Sequence, residues 1–232
     1  MKRLCGIVFL MGIGCLGMAQ DAKERPSQPD LEGEIMLDYG FSFWDKKYEE
    51  LPAKVMGSNT VALYYVRRFE INKNFSFNPA VGVSFDKYAF SGNQTWTYDT
   101  SSDNVSLDSL GGVSLTKNKL IASYFEVPLE IRYHPLGTVD GEGWFIGVGG
   151  VAGLRMGSHT KIKFDANNET YKEKTYANFD LNGFRYGLQF RFGFRNIHFF
   201  YKTYLNDVFK KGFDGTDRVP RASTIGINIS GF

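Results

Sequence analysis

Ser158, His159 and Asp165 lie in one short stretch of the sequence and are residue types used in hydrolysis. A serine hydrolase brings a hydroxyl, an imidazole and a carboxylate together so that the hydroxyl becomes a nucleophile. This stretch continues a strand-like alternation, however, and adjacent side chains of a strand point to opposite faces. Ser158 and His159 therefore cannot pair directly. We predict no catalytic residue, and a hydrolase of lipid or peptide is the alternative.

The segment from Gly147 to Ala152 fits the dinucleotide-binding pattern G-x-G-x-x-A, and Asp165 follows it. In that motif the glycines precede a helix whose N-terminus holds the phosphates. Here Leu154 and Met156 instead continue a two-residue period. We therefore interpret the glycines as small residues that ease strand packing, and we predict no cofactor.

The three histidines, His134, His159 and His198, are assigned to a turn, a loop and a strand start, and their spacing does not match a metal site. Cys5 and Cys15 both lie near the N-terminus. We predict no metal ligand, and no disulfide once the N-terminal segment is removed.

Residues 1–19 have the features of a secretory signal: Lys2 and Arg3 first, an apolar centre at residues 4–13, and a small-residue cleavage site ending at Ala19. Lipoprotein processing at Cys15 is the alternative. Residues 20–32, rich in polar residues and proline, are predicted to form a flexible periplasmic leader.

Cleavage after residue 19 lowers the number of lysines and arginines from 27 to 25, which equals the number of acidic residues. The mature chain is then formally neutral. A nucleic-acid partner requires a basic surface, so we expect no nucleic-acid partner.

Eight segments after residue 33 place apolar or aromatic residues at every second position, which is the period of a strand. The opposite positions hold glycine, polar and charged residues. The apolar stripes run over residues 35–43, 61–69, 75–85, 121–133, 144–156, 184–194, 197–205 and 225–229.

The connections between these segments alternate in length. Those at residues 72–74, 134–143 and 195–196 are short, whereas the others are long and polar, above all residues 89–117. An even number of strands, with short turns at one end and long loops at the other, is typical of an outer-membrane barrel. We predict an all-β, eight-stranded antiparallel transmembrane β-barrel over residues 33–232, with short periplasmic turns and long extracellular loops.

The interior of an eight-stranded barrel is just wide enough for side chains, and the bulky stripes would overfill it. We therefore expect the stripes to face lipid, with Trp44, Tyr133 and Trp144 near the membrane interfaces. A secreted soluble barrel, with its apolar stripes inside, is the alternative. Buried charges must pair, so we predict an ion network rather than a narrow solute pathway in the lumen, formed by Glu126, Glu130, Arg132, Arg155, Arg185 and Arg191.

The segment from Tyr124 to Tyr133, YFEVPLEIRY, resembles the aromatic-x-Glu-Ile-Pro-Leu-x-Leu-Lys-Tyr segment of the PorT-like outer-membrane barrel family of Bacteroidota. The resemblance implies an eight-stranded, OmpA-like barrel with no defined biochemical activity for most members. The namesake branch takes part in protein secretion. Pro128, which lacks a ladder donor, predicts a bulge or a re-aimed strand at this position.

The partners expected for such a protein are outer-membrane lipid and the barrel assembly machinery, which recognises a C-terminal aromatic such as Phe232. The longest loop carries Trp96 and Tyr98, which we predict as contacts for a glycan or an envelope protein; stapling of the loop is the alternative. The predicted role is structural or an interaction made through the outer loops.

Overall fold

The computed structural model describes residues 32–46, 52–99, 104–109, 115–136, 143–166, 169–210 and 219–231. The predicted signal at residues 1–19 and almost all of the predicted leader lie outside these residues, as does Phe232. Within the described part of the chain, no helix is long and apolar enough to cross a membrane.

Twelve strands are described along the chain. They are β1 (Glu34–Trp44), β2 (Ala53–Val66), β3 (Phe69–Asn72), β4 (Phe75–Phe90), β5 (Gln94–Asp99), β6 (Asn104–Ser109), β7 (Leu115–Tyr133), β8 (Trp144–Ala166), β9 (Glu169–Tyr176), β10 (Phe184–Phe194), β11 (Ile197–Tyr204) and β12 (Ala222–Ser230).

Eight of these strands close into an antiparallel barrel in the order β1, β2, β4, β7, β8, β10, β11 and β12. The closure is made between the first and last strands, where Leu37 is opposite Ile229. Strand β3 adds to β4 and β9 adds to the far end of β8, while β5 and β6 form a separate hairpin. The predicted eight-stranded antiparallel barrel is confirmed.

The two ends of the barrel differ. The turn end carries both termini of the described barrel and the short connections, such as the turn at Arg195 and Asn196. The loop end carries the long connections, the β5–β6 hairpin and the β8–β9 extension. At the turn end Gly231 has a φ of +88°, which is left-handed backbone that favours glycine, and strand β12 stops just before it.

The apolar stripes face outward. Along β10 the residues alternate strictly between exposed and buried: Phe190 and Phe192 are each 40% exposed, whereas Arg191 is 1% exposed. A soluble barrel requires the reverse, because its core is the lumen. The predicted orientation, with oily residues outside and charges inside, is therefore the observed one.

The loop end of the lumen is closed by an apolar cluster, which we call the outer cap. Trp44 belongs to it, packing against Tyr88, Phe90 and Phe209, so the prediction that Trp44 lies at a lipid interface is wrong. Its position in β1 has the parity of the buried residues rather than of the outward stripe. The cap is formed by Trp44, Tyr88, Phe90, Trp96, Leu120, Phe179, Leu181, Val208, Phe209 and Val219.

The bulge predicted at Pro128 is not observed there, because the strand is in regular register at this residue. Pro128 stays in continuous register with Val151 of β8. The register instead shifts between Ser123 and Tyr124, where β8 carries an extra residue. A β-bulge of this kind re-aims the side chains beside it, and Arg155 lies at this point.

Candidate functional site

Among the described residues, eight charged side chains are buried in the barrel interior, and their formal charges cancel. Every one lies on the inward parity of its strand, and together they come from β1, β4, β7, β10 and β11. They are the acids Asp38, Asp86, Glu126 and Glu130 and the bases Arg132, Arg185, Arg191 and Lys202. They form two groups along the barrel, which we call the outer tier and the inner tier.

Glu126 is the centre of the outer tier. Its carboxylate lies 2.8 Å from Nη2 of Arg185 and 3.3 Å from Nζ of Lys202. The hydroxyl of Tyr204 donates to it at 2.6 Å, and the hydroxyl of Tyr64 also donates to it. Glu126 is thus surrounded by two cations and two hydroxyl donors, which is the number of partners a buried carboxylate needs.

Arg185 links this carboxylate to a second acid, because its Nη1 pairs with Asp86. The flat guanidinium lies between two rings, 3.5 Å from the centre of Tyr124 and 4.2 Å from that of Tyr204. Aromatic faces attract a desolvated cation. The outer tier therefore uses both ion pairing and ring stacking to hold one arginine across the lumen.

The inner tier is built around Arg191, which contacts an acid on each side. Its Nη1 is 3.1 Å from Asp38, and its Nε is 3.1 Å from Glu130. Arg132 pairs with the other oxygen of Glu130, and the amide of Asn228 donates to Asp38. This tier thus joins β1, β7, β10 and β12 across the lumen.

The glycines of β8 make room for these tiers. A Cβ atom on Gly147 would lie 2.8 Å from the carboxylate of Glu130, and one on Gly153 would lie 3.1 Å from Cγ of Glu126. Strand β8 continues without a helix to Ala166. The resemblance to a nucleotide-binding loop therefore reflects small residues placed beneath bulky charged ones.

Five of the six residues predicted for the lumen network lie in the two tiers. Arg155 does not: it is partly exposed at the loop end and donates to the carbonyl oxygen of Asn178 at 2.6 Å and to Ser158 Oγ at 3.2 Å. It lies beside the one-residue bulge of β8, opposite Tyr124. The sequence interpretation missed Asp38, Asp86 and Lys202, although each opposes an apolar stripe and could have been found by parity.

The predicted loop contacts occupy a different environment from the one expected. Trp96 is 3% exposed and stacks on Phe209, with ring centres 5.1 Å apart. It therefore packs into the outer cap, as the stapling alternative describes, and is not presented for binding. The backbone of Tyr98 lies in β5, and its side chain is outside the described residues.

The candidate hydrolytic residues are not brought together. Ser158 is buried and donates to the carbonyl oxygen of Ala177 at 2.6 Å. His159, on the other face, lies against the ring of Tyr176. Asp165 accepts from Thr170 further along the hairpin.

The other two histidines lie at the turn end, on either side of Phe145, at ring-centre distances of 5.8 Å for His134 and 4.7 Å for His198. The ring of His134 contacts Ser76, and that of His198 contacts the carbonyl oxygen of Arg195. Among the described residues, no group of histidine, cysteine and acidic side chains is arranged to hold a metal ion.

A cavity of about 340 Å³ opens at the turn end. Arg132 and Asn78 line it, so it reaches as far as the inner tier, and Arg68 and Glu34 line its rim. Beyond Arg132 the lumen is filled by the buried charges of the tiers and then by the outer cap. Among the described residues, the lumen is thus closed first by the two tiers and then by the outer cap.

The match to one family model agrees with this architecture. A family model described as "Outer membrane protein beta-barrel domain" matches residues 30–210. Ail, the attachment invasion locus protein of Yersinia pestis, is 14% identical, with a TM-score of 0.35 over 87% of this chain and 100% of that chain. A triple mutant of Rhodopseudomonas blastica porin is 9% identical, with a TM-score of 0.19 over 86% and 99%. No curated protein matches the chain.

Proposed function

Because the chain belongs to the outer-membrane protein β-barrel domain family, we propose that it is a non-catalytic, non-conducting envelope protein that acts through its outer loops. The observation that carries this proposal is the closed lumen. Two charge-neutral tiers fill the barrel, and the outer cap covers them at the loop end. The loop end would face the exterior, as in barrels with long outer loops.

A conducting role needs a continuous water-filled path, and the tiers argue against one. Glu126 and Arg191 are almost completely buried, and each contacts partners from several strands. Opening a path would separate buried ion pairs, which costs several kcal/mol for each charge left without its partner. The cavity at the turn end is the feature that favours the second candidate, a narrow solute pathway, but it reaches only to Arg132.

A hydrolytic role has less support. Ser158 donates its hydroxyl proton to a backbone carbonyl, and His159 lies on the opposite face of the same strand. Neither contacts Asp165 among the described hydrogen bonds. The proposal of a non-catalytic protein is supported by this separation of the residue types that hydrolysis requires.

The finer assignment to the PorT-like branch is part of the proposal. It is supported by the segment Tyr124–Tyr133, in which Glu126 and Glu130 supply the central acids of both tiers. Export by an N-terminal signal, insertion by the barrel assembly machinery, and a glycan or envelope protein as partner belong to the same proposal. The exposed face of the β5–β6 hairpin, where Thr97 and Ser106 both donate to Asp108, is one surface available to such a partner.

Planar-bilayer recording tests the proposal. The purified protein is first shown to be folded by its heat-modifiable migration on a gel, and is then added to one side of the bilayer. We expect no discrete current steps. Steady ohmic steps that scale with the amount of folded protein would refute a closed lumen. The control is the same protein unfolded by boiling, which should give the same silent trace.

A further inference from the structure

Two rows of lysines run straight across three neighbouring strands at the loop end of the barrel. In one row, Lys117 of β7 is opposite Lys163 of β8, which is opposite Lys172 of β9. In the next row, the corresponding residues are Lys119, Lys161 and Lys174. Directly opposed residues of neighbouring strands share a face of the sheet, so all six ammonium groups lie on one side.

That side is the outside of the barrel. Asn118, Leu120 and Ile162 alternate with the lysines and are buried, so the lysines project away from the lumen. Along β7 and β8 the same outward face continues toward the turn end with Phe125 and Leu154, which are exposed apolar residues. The lysine rows therefore lie at the loop-end edge of the outward apolar stripes.

The rows concentrate positive charge, and the acidic residue next to them on the same face, Asp165, accepts a hydrogen bond from Thr170. Like charges directly opposite each other destabilise a sheet, and among the described residues none of the six lysines forms an ion pair. Burial, together with the ammonium groups of Lys87, Lys117 and Lys161, lowers the pKa of Lys119. A surface with six such groups therefore has a strong physical preference for a bound anion.

We propose that the lysine rows bind the phosphate groups of lipid headgroups in the outer leaflet. Ammonium groups bind phosphate as compact point charges. Neighbouring strands are about 4.8 Å apart, so one row of three lysines spans about 10 Å, comparable with a phosphorylated headgroup. The position on the outer wall, continuous with the lipid-facing stripe, favours a lipid over a soluble polyanion, which would meet the loop tips first. The inference rests on the proposed function, in which the loop end faces the exterior.

The test replaces one complete row, K119Q/K161Q/K174Q. The matched control, K46Q/K73Q/K210Q, removes the same charge from exposed lysines elsewhere. Each protein is titrated with phosphatidic acid in micelles of a non-ionic, phosphate-free detergent, and binding is followed by the rise in the thermal unfolding midpoint. Since each basic residue near an anionic surface contributes a several-fold factor in affinity, we expect at least about a tenfold loss for the row variant and little change for the control.

Equal losses in both triple variants would mean that net charge alone attracts the lipid, and would overturn the proposal. So would an unchanged affinity of the row variant. A third variant, K119R/K161R/K174R, keeps the charge and should retain binding even if the glutamine variant does not fold. For the wild type, binding should weaken as salt rises; insensitivity to salt would overturn the proposal.

Inorganic phosphate, titrated alone, separates the two sources of the anion. Stabilisation by inorganic phosphate equal to that by phosphatidic acid would identify a small-anion site and refute lipid recognition. The outcome is independent of conductance: current steps would refute the closed lumen alone, whereas a wild-type protein that phosphatidic acid does not stabilise would refute only this inference.

Discussion

Replacing Glu126 with glutamine removes one negative charge from the outer tier while keeping the size of the side chain. The carboxylate is fully buried and lies 2.8 Å from Arg185 and 3.3 Å from Lys202. Arg185 keeps Asp86 as a partner, but Lys202 then has no acid within ion-pairing distance among the described residues. Among the described residues, the interior then holds three buried acids and four buried bases.

Breaking a buried ion pair from one side typically costs about 3–5 kcal/mol, because the remaining charge stays desolvated. We expect Glu126→Gln to lower the free energy of unfolding by that amount. Adding Lys202→Met restores neutrality, with three acids and three bases. The double variant should then be more stable than the sum of the two single losses by about 1–3 kcal/mol.

Equilibrium unfolding in urea, in lipid micelles and followed by tryptophan fluorescence, measures these differences. The control is Glu32→Gln, which breaks the ion pair with Arg67. The two side chains of that pair are 77% and 52% exposed, so the expected loss is below about 1 kcal/mol. An unchanged midpoint for Glu126→Gln, or strict additivity in the double variant, would refute the tier account.

Three further outcomes are expected. Gly153→Val should lower the free energy of unfolding by about 1–3 kcal/mol, because its Cβ would lie 3.1 Å from Cγ of Glu126. The control in the same urea assay is Gly150→Val, whose nearest atom is 3.7 Å away and which should be close to neutral. Phe209→Ala should cost about 3–5 kcal/mol by leaving a cavity in the outer cap, while Tyr176→Ala, 70% exposed, should cost far less; equal losses would contradict a packed cap. Burial, together with two nearby arginines, lowers the pKa of His134 below its ordinary value of 6.5. As the pH drops below 6.5, the unfolded chain therefore binds a proton that the folded protein does not, and the free energy of unfolding should fall. His134→Gln should flatten this part of the stability profile, and an unchanged slope would remove His134 as its cause.

The barrel itself could be predicted because its signal is local. Along each strand, apolar residues alternate with small or charged residues, and this pattern can be recognised without knowing which strands pair with each other. The same parity placed Arg191 inside and Phe190 outside, as observed. The lengths of the connections then predicted short turns at one end of the barrel and long loops at the other.

What the sequence could not supply depends on how strands meet across the lumen. Glu126 pairs with Lys202 and accepts from Tyr64, residues far away in sequence that only barrel closure brings near. Arg155 lies outside the network because its guanidinium binds Ser158 and the carbonyl oxygen of Asn178 at the loop end, beside a one-residue bulge in β8. A register shift of this kind leaves no clear trace in the alternation.

The outer cap was also hidden from sequence. Trp44 was assigned to an interface because aromatic residues at strand ends usually lie there, but its parity is inward and it packs against Tyr88 and Phe90 of β4 and against Phe209. Trp96 lies in a polar loop and was interpreted as exposed, yet it packs against Phe209. The partners of both tryptophans are fixed by tertiary packing at the loop end.

Quenching of tryptophan emission by brominated lipid shows directly which side of the barrel wall each tryptophan occupies. The central claim is that apolar side chains face lipid while the interior is closed, and the three tryptophans report on both sides: Trp144 is 47% exposed on the outer face, whereas Trp44 and Trp96 are buried in the cap. Brominated lipid should quench only the Trp144 component. Trp144→Phe should abolish the quenching, and adding Phe190→Trp in the middle of the outer face should restore it. Quenching that persists in Trp144→Phe, or that fails to return with Phe190→Trp, would contradict the orientation on which the account depends.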